Sequence, residues 1–202
     1  MSISKPNRYH GEIVAGSLLV PESRKIAGLL LDKVSDAGWY HAIVEENILQ
    51  KKSPATAKRQ AKLIRKRLSL MSPELWSLVQ DGSSEIAIQA LLAATIKHSR
   101  LVGDFMDRIC RDHWLTYNPK LNKSDWRTYI ESCTQVEPAI AEWSESTNNK
   151  LRQVVFRILA ESGYLDNTRS LNLQKVHLAP EVMNYLKQNQ ENYVLRCMEI
   201  TS

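Results

Sequence analysis

Mostly apolar residues recur at alternating spacings of four and three in two long stretches of this sequence. In the first stretch they are Ala57, Ala61, Ile64, Leu68 and Met71. The second stretch continues the pattern through Leu91, Thr95, His98, Val102, Phe105 and Ile109. Such spacing places side chains on one face of an α-helix, and 7 Gly and 7 Pro among 202 residues are few for a loop-rich β-protein. The sequence therefore predicts a mainly α-helical fold.

Serine, proline and glycine mark where these helices begin and end. Ser followed by Pro suits an N-cap and first turn, since the proline nitrogen has no N–H to satisfy there, and Gly favours a helix end.

Residues 1–19 are predicted to be extended or loosely helical, and residues 171–178 to form a strand. The predicted helices cover residues 21–34, 36–49, 54–70, 73–82, 84–116 with a bend near 99–103, 125–135, 138–143, 147–162 with Thr147 as cap, and a last one from Pro180.

Residues 117–124 separate two groups of predicted helices. This segment contains Pro119, two Asn and two Lys, a composition typical of a linker. We therefore predict an N-terminal helical domain over residues 1–118 and a C-terminal domain over residues 119–202. In the first, two helices and a basic third joined by short turns resemble a helix-turn-helix unit. In the second, three helices followed by a small β-hairpin have the order of a winged helix.

Positive charge is concentrated in residues 51–69. That segment carries eight Lys or Arg and no acid, whereas the whole chain has a net charge of +5, so the remainder stands at −3. Lys58, Lys62 and Lys66 place like charges four residues apart on the predicted helix, which destabilises an isolated helix. A polyanion such as a nucleic-acid backbone would relieve this repulsion.

We therefore predict that this segment, called the basic helix below, binds nucleic acid. A plain solvated face and an anionic membrane surface are the alternatives. The membrane is less favoured because the apolar face is rich in Ala and has no Trp or Phe to enter lipid. The candidate binding residues are Lys51, Lys52, Ser53, Thr56, Lys58, Arg59, Lys62, Arg65 and Lys66.

A second candidate site lies in the predicted winged helix. Residues near the start of its third helix would contact bases in the major groove, and two cations of the wing would contact the backbone. The outward face of this helix is mixed, with Glu161 in it, so a structural or partner-binding role is the alternative. The candidate residues are Ser146, Thr147, Asn148, Asn149, Lys150 and Gln153 on the helix, with Arg169 and Lys175 on the wing.

Enzymatic activity is not expected. The sequence has no Gly-rich phosphate loop, nucleophile elbow or methyltransferase motif, and its five His and three Cys have no metal-ligand spacing. We therefore expect no cofactor and no metal, and we expect His98 to be a hydrogen-bonded core residue. Scattered cysteines suit reduced thiols in the cytoplasm. The most apolar window, residues 86–96, is shorter than the about 20 residues needed to span a membrane.

Three stretches resemble one known family. They are SLLVPESRKIAGLLLD at 17–32, ENILQKKSPATAKRQAKLIRKRL at 46–68, and EWSESTNNKLRQVVFRILAESGYL at 142–165. In this order they resemble the BrxA family, the small helical component of bacterial BREX phage-defence systems. The resemblance runs over about residues 10–190, and its most specific part is the Ser-x-Ala-Thr-Ala-x-Arg core that begins at Ser53.

The resemblance implies more than the residues alone predict. It implies an N-terminal part similar to the antitermination protein NusB and a C-terminal winged helix-turn-helix. It also implies binding of double-stranded DNA, no enzymatic activity, and other BREX components as partners, which methylate host DNA and block phage replication. An RNA-binding module similar to NusB, and an adaptor that docks other defence components through the basic helix, remain alternatives.

Overall fold

The structure is a computed structural model and describes residues 8–200. Short 3-10 turns at Glu12–Ala15 and Pro138–Glu142 and π-helical turns at His41–Glu45 and Phe105–Cys110 join the α-helices. The prediction of a mainly α-helical fold is confirmed. The α-helices are α1 (Val20–Leu31), α2 (Asp36–Tyr40), α3 (Pro54–Leu68), α4 (Pro73–Asp81), α5 (Ser84–His98), α6 (Arg100–Asp104), α7 (Arg111–Leu115), α8 (Lys123–Val136), α9 (Glu145–Glu161), α10 (Pro180–Gln188) and α11 (Asn192–Met198).

Helix α5 lies at the centre of the helical bundle. All its residues from 89 to 96 are buried, as expected for a helix whose side chains are small or apolar on every face. Helices α1, α3 and α4 pack against it, and α10 and α11 cover it from the other end of the sequence. The last two helices therefore contribute to the core formed by the first five. The domain division at residues 118 and 119 stays a prediction.

The long helix predicted over residues 84–116 bends where the sequence indicates. Helix α5 ends at His98; the next residue, Ser99, has extended backbone angles (φ −126°, ψ 100°), and α6 begins at Arg100. Gly103 is required in α6 because the Tyr193 hydroxyl of α11 lies 2.4 Å from the position that a Cβ would occupy. The glycine thus allows α11 to approach the backbone of α6.

The strand predicted over residues 171–178 is wrong. Within residues 8–200 the structure contains no strand, only two isolated antiparallel bridges. One bridge pairs Lys120 with Asn172, and the other pairs Leu165 with Leu173. The β-hairpin of the predicted winged helix is therefore reduced to single contacts between three short segments.

Side-chain hydrogen bonds explain why no ladder forms there. The Asp166 carboxylate accepts from the Asn172 backbone N–H at 3.0 Å and holds the preceding residues in a tight loop. Further along, the Gln89 side chain of α5 donates to the His177 carbonyl at 3.0 Å and accepts from the Ala179 N–H at 2.7 Å. These contacts bind the segment to α5 and use backbone groups that a longer ladder would need.

Two predicted helix boundaries also need correction. Thr147 does not cap α9, because Ser144 is the N-cap and its Oγ accepts from the Thr147 N–H at 3.1 Å. The helix predicted over residues 36–49 is shorter than expected. Helix α2 ends at Tyr40, and the π-helical turn His41–Glu45 follows it. Asn47 then closes a loop, since its side chain donates to the Lys51 carbonyl and accepts from the Lys51 N–H, both at 2.9 Å.

His98 is a core residue, as predicted. Its side chain is buried, and its Nε2 lies 3.3 Å from the Glu12 carboxylate. Burial and the neighbouring His10 and Arg67 lower the pKa of His98 from 6.5 to about 4, although Glu12 opposes the shift. The ring is therefore neutral at neutral pH.

Two remaining expectations concern the chain ends and membranes. Part of the segment 1–19, expected to be extended or loosely helical, is the 3-10 turn Glu12–Ala15, and residues 1–7 lie outside the described range. Within residues 8–200, no helix combines the length and apolarity that crossing a membrane requires.

Candidate nucleic-acid interface

The basic helix is α3, and its local sequence fixes its orientation. Ser53 is the N-cap and accepts from the Thr56 N–H at 3.3 Å, with Pro54 in the first turn. Its apolar stripe is buried, including Ala57 and Leu68. The side chains of Ser53 and Thr56 also hydrogen-bond each other at 3.0 Å, so both serve the helix start. The predicted helix and its buried face are confirmed.

The outer face of α3 presents cations to solvent. Lys52, Lys58, Arg59 and Lys62 are exposed, and none of them forms an ion pair within residues 8–200. The Lys58 ammonium lies 5.2 Å from the centre of the Tyr40 ring, a contact that orients the lysine without neutralising it.

Acids from earlier in the chain neutralise part of the same helix. The Lys51 ammonium is hydrogen-bonded to Glu22, and Lys66 Nζ lies 2.7 Å from Glu12. The hydrogen bond from Lys66 lowers the pKa of the Glu12 carboxyl, although burial opposes this. The segment of α3 is acid-free in sequence, but the fold brings carboxylates to it.

The Arg65 guanidinium contacts both an aromatic ring and a carboxylate. Its guanidinium carbon lies 4.5 Å from the centre of the Trp39 ring, and its Nη1 lies 3.5 Å from Asp36. The Asp36 side chain is almost fully exposed, so this ion pair contributes little to stability. Arg65 therefore remains available at the edge of the exposed cations.

Arg67 is a structural residue although it counts toward the charge of the segment. It is only 2% exposed, and its guanidinium donates to the Ser17 carbonyl at 2.5 Å and to the Gly16 carbonyl at 3.1 Å. Burial lowers the pKa of Arg67 to about 10, so it stays charged at neutral pH. One of the positive charges of residues 51–69 is therefore unavailable to a ligand.

The start of α9 brings together four of the six residues predicted there. Ser146, Asn149, Lys150 and Gln153 line one shallow surface cavity of about 510 Å³, together with Glu145. Thr147 and Asn148 are used locally instead. The Thr147 N–H and hydroxyl contact the N-cap, and Asn148 Nδ2 donates to the Trp143 carbonyl at 3.4 Å.

Of the two predicted wing cations, Arg169 faces α9. Arg169 lines a second cavity of about 510 Å³ beside Gln153, in a group that also includes Lys123, Arg152 and Arg157. We call these four cations and their cavity the cationic cleft. Lys175 is also exposed and follows the buried Leu171 and Leu173 in the sequence.

Sequence reasoning missed most of the cationic cleft. Arg152 and Arg157 lie on α9, so the outward positions of that helix could have identified them. Lys123 begins α8, and no sequence pattern places it opposite Arg152. Within residues 8–200 none of these three cations forms an ion pair, and no Asp or Glu lines this cavity.

Comparisons with known proteins agree with this fold. A family model described as BrxA matches residues 7–190. A BREX protein BrxA from Paramagnetospirillum magneticum is 49% identical over 194 residues, covering 96% of this chain and 98% of the relative. A BREX protein BrxA from Escherichia coli O9:H4 is 34% identical over 197 residues, covering 98% and 92%. The crystal structure of an uncharacterized protein from Magnetospirillum magneticum has a TM-score of 0.90 and 47% identity, covering 96% of this chain and 99% of that one. The chain therefore belongs to the BrxA family.

Proposed function

We propose that this protein is a non-enzymatic accessory protein of a BREX phage-defence system and binds double-stranded DNA in the cytoplasm. One observation carries the proposal. Lys58, Arg59 and Lys62 are exposed on a well-anchored helix and have no acidic partner within residues 8–200. The names of the relatives support the assignment to BREX and point to other BREX components as partners.

The chemistry of these cations suits a phosphate backbone. Lys58 and Lys62 are four residues apart on α3, so each raises the energy of the other when no anion is near. Binding to DNA phosphates removes this repulsion and releases counterions from the duplex. Such contacts position a protein on DNA and carry no sequence information.

Sequence readout, in this proposal, belongs to the start of α9. Asn149, Lys150 and Gln153 have the amide and ammonium groups that pair with adenine and guanine edges in the major groove. They share one cavity, and Arg169 would contact the backbone beside them. The two-part arrangement, NusB-like and winged helix-turn-helix, is part of the same proposal.

A binding titration with charge-matched variants tests the role of α3. Lys58→Gln, Arg59→Gln and Lys62→Gln combined should weaken binding of a short duplex about 10- to 100-fold at moderate salt, because three phosphate contacts are lost. The control combines Lys33→Gln, Arg108→Gln and Lys187→Gln, three exposed cations outside α3 and the cationic cleft, and should bind as the wild type does. If both variants lost the same affinity for the duplex, only the net charge of the protein would matter, and the proposal would be contradicted.

A competition experiment separates DNA from the alternatives. Labelled duplex DNA bound to the protein is challenged with unlabelled RNA and DNA duplexes of the same sequence. We expect the DNA duplex to compete better than the RNA duplex. More effective competition by RNA would favour the NusB-like RNA module, and failure to bind either duplex would favour the adaptor.

A further inference from the structure

A cavity of about 580 Å³ lies between α8 and the first turns of α9. Its apolar walls are Trp126, Ile130 and Trp143. The volume is within the range of small-ligand sites, which are mostly apolar with a few polar groups that fix the ligand. We call it the tryptophan cavity.

Two buried polar atoms of residues lining the tryptophan cavity have no hydrogen-bond partner in the described part of the chain. They are Nε1 of Trp126, a donor on a side chain that is only 3% exposed, and Oδ1 of Asn148, an acceptor. Buried polar groups without a partner are destabilising. Both atoms are themselves buried, so they mark unused hydrogen-bonding capacity in the wall of the cavity.

Cations stand on the side of the tryptophan cavity that faces the cationic cleft. Lys123 and Arg152 line both cavities, and Arg127 lines the first. No ion pair within residues 8–200 involves any of these three. Glu131 and Glu145 also line the tryptophan cavity, so its three cations outnumber two carboxylates.

Trp126 is buried and packs against Phe105, Tyr129 and Phe156, whereas Trp143 and Ile130 are half-buried. A ligand can therefore place an apolar planar group against Trp143 and Ile130 and an anionic group at the cations.

We propose that these two adjoining cavities bind an unpaired nucleotide. The base enters the tryptophan cavity and packs against Trp143 and Ile130, and its phosphates contact Lys123, Arg152 and the rest of the cationic cleft. Aromatic side chains beside a positively charged groove are the features that bind single-stranded nucleic acid. The site extends the proposed function. It rests on that function where the nucleotide is part of the bound DNA.

A trinucleotide and its abasic counterpart separate base recognition from charge. Both probes carry the same phosphates, but only the first has bases. We expect the trinucleotide to bind at least about ten times more tightly, which is within the range of base stacking on aromatic side chains. It should also shift the Trp143 indole N–H signal in a proton–nitrogen NMR spectrum, whereas inorganic phosphate should not. Equal affinity for the two probes would overturn the proposal.

Variants then locate the site. Lys123→Gln with Arg152→Gln should weaken trinucleotide binding at least about tenfold, while Arg108→Gln with Lys187→Gln should leave it unchanged. The α3 variant with Lys58, Arg59 and Lys62 replaced should lose duplex binding but keep trinucleotide binding. A normal affinity of the Lys123/Arg152 variant would contradict the nucleotide site, and a normal duplex affinity of the α3 variant would contradict only the proposed function.

A final titration identifies the source of the nucleotide. Free deoxynucleoside monophosphates compete with the labelled trinucleotide if the cavity accepts a separate nucleotide. If only oligonucleotides compete, the occupant is an unpaired position in a strand. Both results support the site, and failure of every base-containing probe to bind would refute it.

Discussion

Replacement of Asp104 with asparagine is expected to lower the free energy of unfolding by about 2–3 kcal/mol, because a buried carboxylate that accepts three hydrogen bonds loses its charge. The Asp104 carboxylate is buried and accepts from the Tyr9 hydroxyl at 2.7 Å, the Tyr193 hydroxyl at 2.6 Å and Arg8 Nη2 at 2.8 Å. These bonds tie the N-terminal segment and α11 to α6. Chemical denaturation followed by circular dichroism measures the change.

Asp112 supplies the control for that substitution. It is an exposed aspartate on α7, so Asp112→Asn should change the stability by less than about 0.5 kcal/mol. A loss below about 1 kcal/mol for Asp104→Asn would show that water or a neighbour replaces the carboxylate, and would contradict the network.

The same carboxylate predicts a pH dependence. Burial raises the pKa of Asp104, but hydrogen bonds from Tyr193, Arg8 and Tyr9 outweigh it and hold the pKa below the ordinary 3.8. A lowered carboxyl pKa contributes stability that is present above the unfolded value and is lost as the pH falls through the folded value. The stability difference between wild type and Asp104→Asn should therefore shrink below about pH 3.8. Because His98 is neutral in the folded protein, stability also falls between pH 6.5 and about 4. This loss occurs in both the wild type and Asp104→Asn, so it cancels in their difference.

Replacement of Arg67 with alanine is the second large effect that we expect, a loss of about 4 kcal/mol. The substitution leaves a cavity in the core and removes the donors to the Gly16 and Ser17 carbonyls. It also disturbs the contact of α9 with this segment, where Glu161 accepts from Ser17 Oγ at 2.7 Å and from Leu18 N–H at 2.9 Å. Thermal or chemical unfolding gives the value.

Two further variants distinguish the guanidinium from simple charge. Arg67→Lys keeps the charge but not the paired donors, so its stability should lie between those of the wild type and Arg67→Ala. Arg59→Ala, an exposed change on the same helix, should cost less than about 0.5 kcal/mol. Full stability of Arg67→Lys would mean that the two carbonyls need only one donor.

Local signals in the sequence were sufficient to predict α3. Ser53 and Pro54 define its start, and the spacing from Ala57 to Leu68 defines its buried face, because these effects depend only on neighbours along one helix. The bend near Ser99 was predictable for the same reason. The close approach of the Tyr193 hydroxyl to Gly103, by contrast, depends on α11 and had no local signal.

Features that depend on distant contacts could not be predicted. Glu12, Glu22 and Asp36 neutralise cations of α3, although all three lie more than ten residues before it. Arg67 has the same sequence signature as its exposed neighbours and differs only by pointing into the core. The strand over residues 171–178 failed because Asp166 takes the Asn172 N–H at one end and Gln89, on another helix, takes the His177 carbonyl at the other.

The candidate site was only partly visible for related reasons. The α9 positions Asn149, Lys150 and Gln153 follow from helix periodicity. The cationic cleft joins Lys123 of α8 to Arg152 of α9 and Arg169 of a loop, and such a meeting is a property of packing. Charge counted along the chain therefore emphasised α3 and missed the second basic surface.

The salt dependence of duplex binding tests the central claim most directly. The logarithm of the binding constant is measured against the logarithm of salt concentration for the wild type and for the variant with Lys58, Arg59 and Lys62 replaced by glutamine. Each phosphate contact contributes about 0.9 to the slope, so the variant should have a slope smaller in magnitude by about 3. An unchanged slope would contradict phosphate binding by α3.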